Sequence, residues 1–346
     1  MFRLRLAISA TFLSIGANQA LACAVCGCSL SSDAATGYST EPGWSIGVQY
    51  DYINQNQLRH GTSSISRSQV ALVPDQEVED FTKNQYFTLG IGYTPDPSWN
   101  FRLLLPYVNR NHQTYGQDPT LPLTPDQISG AQVNSLGDLR FLTNYQGFLP
   151  THNLGVQLGI KLPTGNYGGP NVDGTGTVGR NPAAFSSGPI SQNPSPGNLL
   201  DTNLQAGTGS TDLILGAYYY QPVSQDFDLF LNGQYQFAIK QALNQPGADY
   251  RPGDLATVSF GVSYVADPGI VPQVQINLTH RNHDTGALAD TNDSAGTVVY
   301  FSPGAAVTVA RNMQMYGFVQ VPLYSNLQGY QLLPRWNASI GASFKF

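Results

Sequence analysis

The sequence predicts an all-β protein: a transmembrane, up-and-down antiparallel β-barrel of twelve strands with both termini in the periplasm. Three observations predict this fold. Apolar and polar residues alternate with a period of two in one segment after another, the connections between those segments alternate between long and short, and charged residues make up only 11% of the chain. No later run of about twenty apolar residues is present to form a transmembrane helix.

The N-terminus has the features of a secretory signal peptide. A basic start precedes a short apolar run and the cleavage sequence Ala20-Leu21-Ala22. The apolar run is too short to span a bilayer, so we expect residues 1–22 to be removed on export. The remaining chain then divides into a periplasmic, cysteine-containing segment, residues 23–42, and an outer-membrane barrel, residues 43–346.

The alternation is clearest in Gln225–Ile239, where Phe, Leu, Tyr and Ile occupy one parity and Asp, Asn and Gln the other. Asn153–Leu162 and Arg335–Phe346 show the same division. A helix would spread both sets around its axis, whereas a strand places them on opposite faces. Strands are therefore expected to begin near Gly43, Lys83, Ser98, Val133, Thr151, Gly207, Gln225, Gly253, Ile270, Ser294, Met313 and Arg335.

The connections carry topological information. A long first connection, about Gln55 to Thr82, is followed by a tight turn at Pro95-Asp96-Pro97, and the alternation continues to the end of the chain. Outer-membrane barrels have short periplasmic turns and long outer loops, whereas a secreted β-sandwich has no reason to sort its loops by length. An even strand number places both termini in the periplasm. The terminal Phe346 is expected to be the signal that the barrel assembly machinery reads.

Three glycine-containing stretches resemble a family of outer-membrane β-barrel proteins named for a transport role in phenol degradation (the meta pathway). They are Ser135–Arg140 (SLGDLR), Gly159–Gly165 (GIKLPTG) and Gly207–Asp212 (GTGSTD), and a cysteine cluster follows the signal as in some members. The resemblance implies a barrel in the outer membrane of a Gram-negative bacterium. It also implies transport of aromatic or hydrophobic compounds.

The polar strand faces are expected to line the lumen. Charged candidates, by parity, are Asp51, Arg102, Arg110, Asp138, Arg140, Lys161, Asp226, Asp228, Arg281 and Arg335. Buried charges must pair to offset desolvation, so these residues either hold the wall together as ion pairs or select solutes. The fifth connection, about Asn166 to Ala206, is long enough to be functional: it either constricts the mouth or lies outside it.

Other function classes are disfavoured. A net charge of −6 argues against a nucleic-acid partner. We expect no enzymatic activity, because none of the five histidines can be assigned a serine partner at membrane depth. The expected partners are outer-membrane lipid and lipopolysaccharide, the barrel assembly machinery and a small solute.

Cys23, Cys26 and Cys28 leave three alternatives open. They could have a structural or disulfide role, they could bind a soft metal such as Cu(I) or act in thiol redox chemistry, or Cys23 could carry a lipid anchor. His152, expected on the same side of the membrane, could add a nitrogen ligand. The predicted function is a porin-like channel for small solutes. The alternative is a barrel-anchored periplasmic metal-binding or thiol-redox module that uses the three cysteines.

Overall fold

The computed structural model describes residues 40–74, 76–116, 122–267 and 269–346. Cys23, Cys26 and Cys28 therefore lie outside the described residues. The strands are β1 (Gly43–Gly61), β2 (Ser63–Ser64), β3 (Glu79–Asp96), β4 (Trp99–Thr114), β5 (Ser129–Leu136), β6 (Leu139–Tyr145), β7 (Leu154–Leu162), β8 (Tyr167–Pro170), β9 (Thr177–Arg180), β10 (Phe185–Ser187), β11 (Ser210–Pro222), β12 (Phe227–Gln241), β13 (Asn244–Gln245), β14 (Ala248–Asp249), β15 (Leu255–Tyr264), β16 (Ile270–Arg281), β17 (Gly296–Ala310) and β18 (Met313–Lys345).

The helical elements are short and lie between strands. They are α1 (Arg67–Val70) and 3-10 turns at Pro125–Gln127, Pro189–Gln192 and Thr202–Leu204. Ser66 begins α1 with a capping box, in which its hydroxyl and the Gln69 side chain each satisfy a free backbone N–H. Among the described residues, no helix has the length and hydrophobicity to cross a membrane.

Antiparallel pairing closes the sheet into a barrel of eleven strands, which confirms the predicted all-β, antiparallel barrel. The wall follows the order β4, β3, β1, β18, β17, β16, β15, β12, β11, β7 and β6, and the pairing of β6 with β4 completes the ring. Strand β5 pairs with the outer part of β4, beyond the end of β6, and β10 adds to its free edge. The remaining short strands lie outside the ring.

Strand β18 differs from the prediction, which placed a separate strand from Arg335. It runs continuously over 33 residues and pairs with β17 through its first half and with β1 through its second half. The two halves also approach each other, because a Cβ placed on Gly317 would lie 3.6 Å from Cγ2 of Ile340. At the other end of the wall, backbone hydrogen bonds of 3.0 Å join Trp44 and Phe346 in both directions.

The two faces of the wall differ as the alternation predicts. Along β16, Ile270, Val274 and Ile276 are exposed, whereas Gln273, Gln275 and Asn277 between them are buried. Exposed apolar side chains outside and buried polar ones inside are the reverse of a soluble core and are typical of a transmembrane barrel. Exposed aromatic pairs such as Trp44–Tyr93, with ring centroids 4.7 Å apart, lie at the end of the wall where the chain enters.

Glycines on the wall make room for interior aromatic rings. Tyr218 on β11 pairs directly with Gly155 on β7, and a Cβ at Gly155 would overlap the tyrosine ring. Phe230 and Gly261, paired across β12 and β15, have the same arrangement. These large side chains therefore lie flat against the backbone of the neighbouring strand, and they depend on glycine at that position.

Candidate functional site: the barrel interior

Most of the predicted lumen charges lie buried inside the barrel. The buried ones are Asp51, Arg102, Arg110, Asp138, Arg140, Lys161 and Arg281. The other three are not fully buried. Asp226 is exposed in the turn before β12, Asp228 is half-buried at the start of that strand, and Arg335 is exposed beside a register shift between β1 and β18.

Lys161 forms the centre of a buried ion-pair network. Its ammonium group is 2.7 Å from a carboxylate oxygen of Asp138 and 3.4 Å from one of Asp212, and it donates to the Ser210 carbonyl at 3.0 Å. All three charged side chains are almost completely buried. Asp212 extends the network, because its carboxylate accepts from Gln236, which in turn accepts from Arg140 at 3.1 Å. The charges are therefore neutralised inside the wall.

Asp138 lies where the wall strand is interrupted between β5 and β6. Its two carboxylate oxygens accept from the backbone N–H groups of Gly165 and Thr208, each at 3.0 Å. The segments that leave β7 and enter β11 are thus tied to the break in the wall. A carboxylate that accepts backbone N–H groups and a lysine at one point stabilises an irregular backbone at that site.

Arg281 and Asp284 form a second buried ion pair, which joins two of the connections between strands. Arg281, at the end of β16, donates to a carboxylate oxygen of Asp284 at 2.6 Å. The same carboxylate accepts from the Tyr250 hydroxyl at 2.8 Å and from the Gly253 backbone at 2.7 Å. Burial is the main reason that the pKa of Tyr250 lies well above its usual value, so this hydroxyl remains a donor. The connection between β12 and β15 and the connection that follows β16 therefore meet at one carboxylate.

The fifth connection enters the barrel. We call residues 183–208 the inserted segment. Its apolar side chains Phe185, Leu200, Leu204 and Ala206 are buried in one cluster with wall residues, among them Tyr86. Of the two positions that the sequence left open for this connection, the structure shows the one that narrows the interior.

Arg110 fixes the inserted segment to the wall. From β4, its guanidinium donates to the carbonyls of Leu204 and Gln205, the latter at 3.2 Å. It also donates to Asn84 Oδ1 at 2.6 Å and to the Tyr86 hydroxyl at 3.0 Å. Arg110 is 1% exposed, so these bonds form away from bulk water. One side chain thus links β3, β4 and the inserted segment.

An acidic pocket borders the inserted segment at Asp201, Asn203 and Leu204. Glu77, Glu79, Asp201, Asp290 and Asp293 line it. Burial and, next, the Asp293 carboxylate raise the pKa of Asp290 to about 6, and burial also raises the pKa of Asp293. The buried His112 ring lies 3.9 Å from Glu77 and lowers the pKa of that carboxyl against the effect of burial.

His152, predicted as a metal ligand, and Phe346, predicted as an assembly signal, lie at separate places in the barrel. His152 lies in the turn before β7, where its Nδ1 is 3.1 Å from the Gln146 carbonyl. Within the described ranges, no group of three or more His, Cys, Asp or Glu side chains is arranged to hold a metal ion. Phe346 is exposed at the end of the wall, beside a cavity of about 720 Å³ that Trp44 and Lys345 also line.

Sequence reasoning missed two interior carboxylates. Asp212 is the third residue of β11 and lies on the parity opposite Leu213 and Leu215, so its interior position was readable from the pattern. Asp284 follows the end of β16, where the alternation stops and gives no direction.

A closed antiparallel barrel with an apolar outer face and buried polar side chains inside has the architecture of an outer-membrane β-barrel. The family model described as "Putative MetA-pathway of phenol degradation" matches residues 189–330, which include the inserted segment from its 3-10 turn onward. This match confirms the resemblance to that family over residues 189–330, which include the motif Gly207–Asp212 but not the other two motifs. No curated protein shows significant sequence similarity to this chain.

Solved structures share the fold at low sequence identity. An outer membrane channel from Pseudomonas putida F1 is 14% identical with a TM-score of 0.59, and the alignment covers 88% of this chain and 96% of that one. The β domain of the Bordetella autotransporter BrkA is 11% identical with a TM-score of 0.46, over 88% and 100% of the two chains. The P. putida toluene transporter TodX is 10% identical with a TM-score of 0.42, over 88% and 90%.

Proposed function

We propose that this protein is an outer-membrane channel for small solutes, including aromatic or hydrophobic compounds. The observation that carries this proposal is the inside of the barrel: Lys161 and Arg281 are held in ion pairs, Arg110 is held by neutral partners, and the inserted segment narrows the interior with apolar side chains. The family match and the fold shared with the P. putida outer membrane channel support the same function. A narrow passage that is apolar in part favours small, uncharged molecules.

We infer that the barrel has twelve strands. Residues 313–327 pair with β17, residues 327–345 pair with β1, and Gly317 approaches Ile340, which supports a reversal of the chain direction within β18. Gly329, with φ of +65°, lies between the two halves, and left-handed backbone at glycine is typical of a tight turn. We infer that β18 is a hairpin. An even number of strands puts both termini at the same end of the barrel. The turns are short at the end where Phe346 pairs with Trp44, and this supports a periplasmic location for both termini.

The first experiment is single-channel conductance of the full chain in a planar lipid bilayer. Steady conductance is expected from the wild type. A barrel that is folded by heat-modifiability on gels but carries no current under any applied voltage would contradict the proposal.

The cysteine segment is tested in the same bilayers. The Cys26→Ser/Cys28→Ser variant is expected to conduct as the wild type does, because the described barrel closes without residues 23–28. If conductance instead depends on the cysteines, the alternative of a metal-binding or redox module gains support. Metal analysis of both forms, purified without chelator, then decides whether a soft metal such as Cu(I) is bound.

The remaining partners follow from the proposed location. The exposed apolar wall requires lipid, with lipopolysaccharide around the outer loops. Phe346, at the free end of the last strand, is the residue through which the assembly machinery would recognise the chain. Deletion of Phe346 should reduce the amount of folded barrel in the outer membrane without changing the conductance of the molecules that do assemble.

A further inference from the structure

Four amide side chains form a row on the interior face of β16 and β18. They are Gln275, Asn277, Gln320 and Asn337, and each is at least nine-tenths buried. We call them the amide row. Pairing brings them together: Gln275 lies opposite Ser302 on β17, and the Phe301–Val321 pair places Ser302 beside Gln320. Tyr316 against Gly341 and Gly317 against Ile340 set a register in which Gln320 faces Asn337.

The amide row carries polar atoms that no described residue satisfies. The side-chain oxygens of Gln275, Asn277, Gln320 and Asn337 are buried and accept no hydrogen bond within the described part of the chain, and the Asn337 nitrogen makes none. Two of the amide nitrogens have partners, since Asn277 donates to Ser302 at 2.7 Å and Gln275 donates to Gln273 at 3.3 Å. The free groups are therefore four acceptors and one donor.

The amide row lies between two apolar interior clusters on the same strands. Val298, Tyr300, Leu327 and Leu333 pack together toward the outer end. Val271, Ala306, Tyr316 and Phe318 pack together toward the other end. The free acceptors of the amide row are therefore flanked by apolar side chains on both sides along these strands. Apolar walls with a few convergent polar groups are the usual form of a small-molecule site.

We propose that the amide row is a solute-binding site that selects neutral molecules with an apolar body and one hydrogen-bond donor, such as a hydroxyl or primary amide. This inference rests on the proposed channel function. Buried amides form hydrogen bonds with water when no solute is bound. A solute displaces that water without loss of affinity only if it replaces those hydrogen bonds. A donor meets four free acceptors here, whereas a hydrocarbon or an ether leaves them unsatisfied.

The test uses three probes of similar size: 4-bromobenzyl alcohol, its methyl ether and 4-bromoethylbenzene. Their block of single-channel current is measured in planar bilayers. We expect the alcohol to bind about tenfold more tightly than the ether, because one donated hydrogen bond to a buried acceptor is worth about that factor. The ether and the hydrocarbon should differ little. Equal block by all three probes in a conducting wild-type channel would refute the site and leave the channel function standing.

Matched variants test whether the amide row causes the preference for the alcohol. Gln320→Met and Gln275→Met keep the side-chain length, remove the amide and should each abolish most of the preference for the alcohol. Gln157→Met on β7 is the control, because that amide is already engaged by Asn144 and Gln234. It should keep the preference. A preference that survives both amide-row variants overturns the proposal.

Crystallography provides a readout that does not need conductance. Wild-type crystals soaked with 4-bromobenzyl alcohol should show bromine anomalous density beside the amide row, with the hydroxyl toward Gln320 or Asn337. Gln320→Met crystals should lose it. Bromine found only elsewhere in the barrel would refute the site even if the channel carries no current.

Discussion

Replacement of Arg110 by methionine tests whether the inserted segment sets the width of the channel. The arginine donates to the carbonyls of Leu204 and Gln205, and methionine fills much of the same volume without donating. The expected result is a channel with larger and noisier conductance, because the inserted segment loses its polar attachment to β4 while the wall keeps its pairing.

The magnitude follows from the number and kind of the lost bonds. A hydrogen bond that involves a charged group contributes about 1.5–3 kcal/mol, and two such bonds hold the inserted segment. The apolar cluster remains, and methionine adds apolar contact to it, so we take the lower limit for each bond. The loss is then about 3 kcal/mol, which changes the ratio of displaced to seated segment by about 100-fold. A population that is negligible in the wild type becomes visible in single-channel traces.

Two variants separate attachment from other effects of the substitution. Tyr86→Phe removes one hydroxyl that accepts from Arg110 but leaves both carbonyl bonds to the inserted segment, so its conductance should match the wild type. Arg110→Lys keeps the charge but loses the forked geometry of the guanidinium. Its conductance should therefore lie between that of the wild type and that of Arg110→Met. Wild-type conductance in Arg110→Met, in a barrel shown to be folded, would mean that this arginine does not hold the constriction.

Three further results are expected. Lys161→Met should lower the free energy of unfolding in urea by about 3–5 kcal/mol, because it leaves Asp138 and Asp212 buried without their cation, and unchanged stability would contradict the network. Gly155→Ala should cost about 1–3 kcal/mol in the same assay, since its Cβ overlaps the Tyr218 ring, while a combined Tyr218→Ala change should recover part of that loss. The raised pKa of Asp290, about 6, means that the folded acidic pocket holds this proton more tightly than the unfolded chain does. The Asp290 contribution to stability is therefore present below the ordinary carboxyl pKa and is lost as the pH rises through about 6, so the free energy of unfolding in urea should be lower at pH 7.5 than at pH 5, and Asp290→Asn should reduce this difference.

The alternation of the sequence predicts the wall well because a barrel strand has one lipid face and one interior face. Ile270 and Gln275 on β16 are read correctly from parity alone. Parity fails where the strand is irregular. Arg335 follows the interior parity of its strand but lies next to a register shift and is exposed. The break between β5 and β6 depends on hydrogen bonds that Asp138 accepts from the backbone of Gly165 and Thr208. These residues are far from Asp138 in the sequence, so no local sequence pattern predicts the bonds.

The inserted segment shows a second limit of prediction from sequence. Its composition of Gly, Pro, Asn and Ser predicts a loop, and both an inside and an outside position satisfy that composition. The choice is made by a few residues far apart in sequence: Arg110 on β4 and the apolar Leu200 and Leu204 that reach the wall cluster. Such long-range contacts are not periodic, so the sequence alone left both positions open.

The arrangement of charge argues for neutral cargo. The buried cation of Lys161 is matched by Asp138 and Asp212, Arg281 is matched by Asp284, and Arg110 is occupied by carbonyls and neutral side chains. Charges that are satisfied by fixed partners cost desolvation energy if a solute takes those partners away. An ionic solute would therefore have to break a network that also holds the wall and the outer loops together. A neutral solute meets the apolar clusters and the amide row instead, and it leaves every ion pair in place.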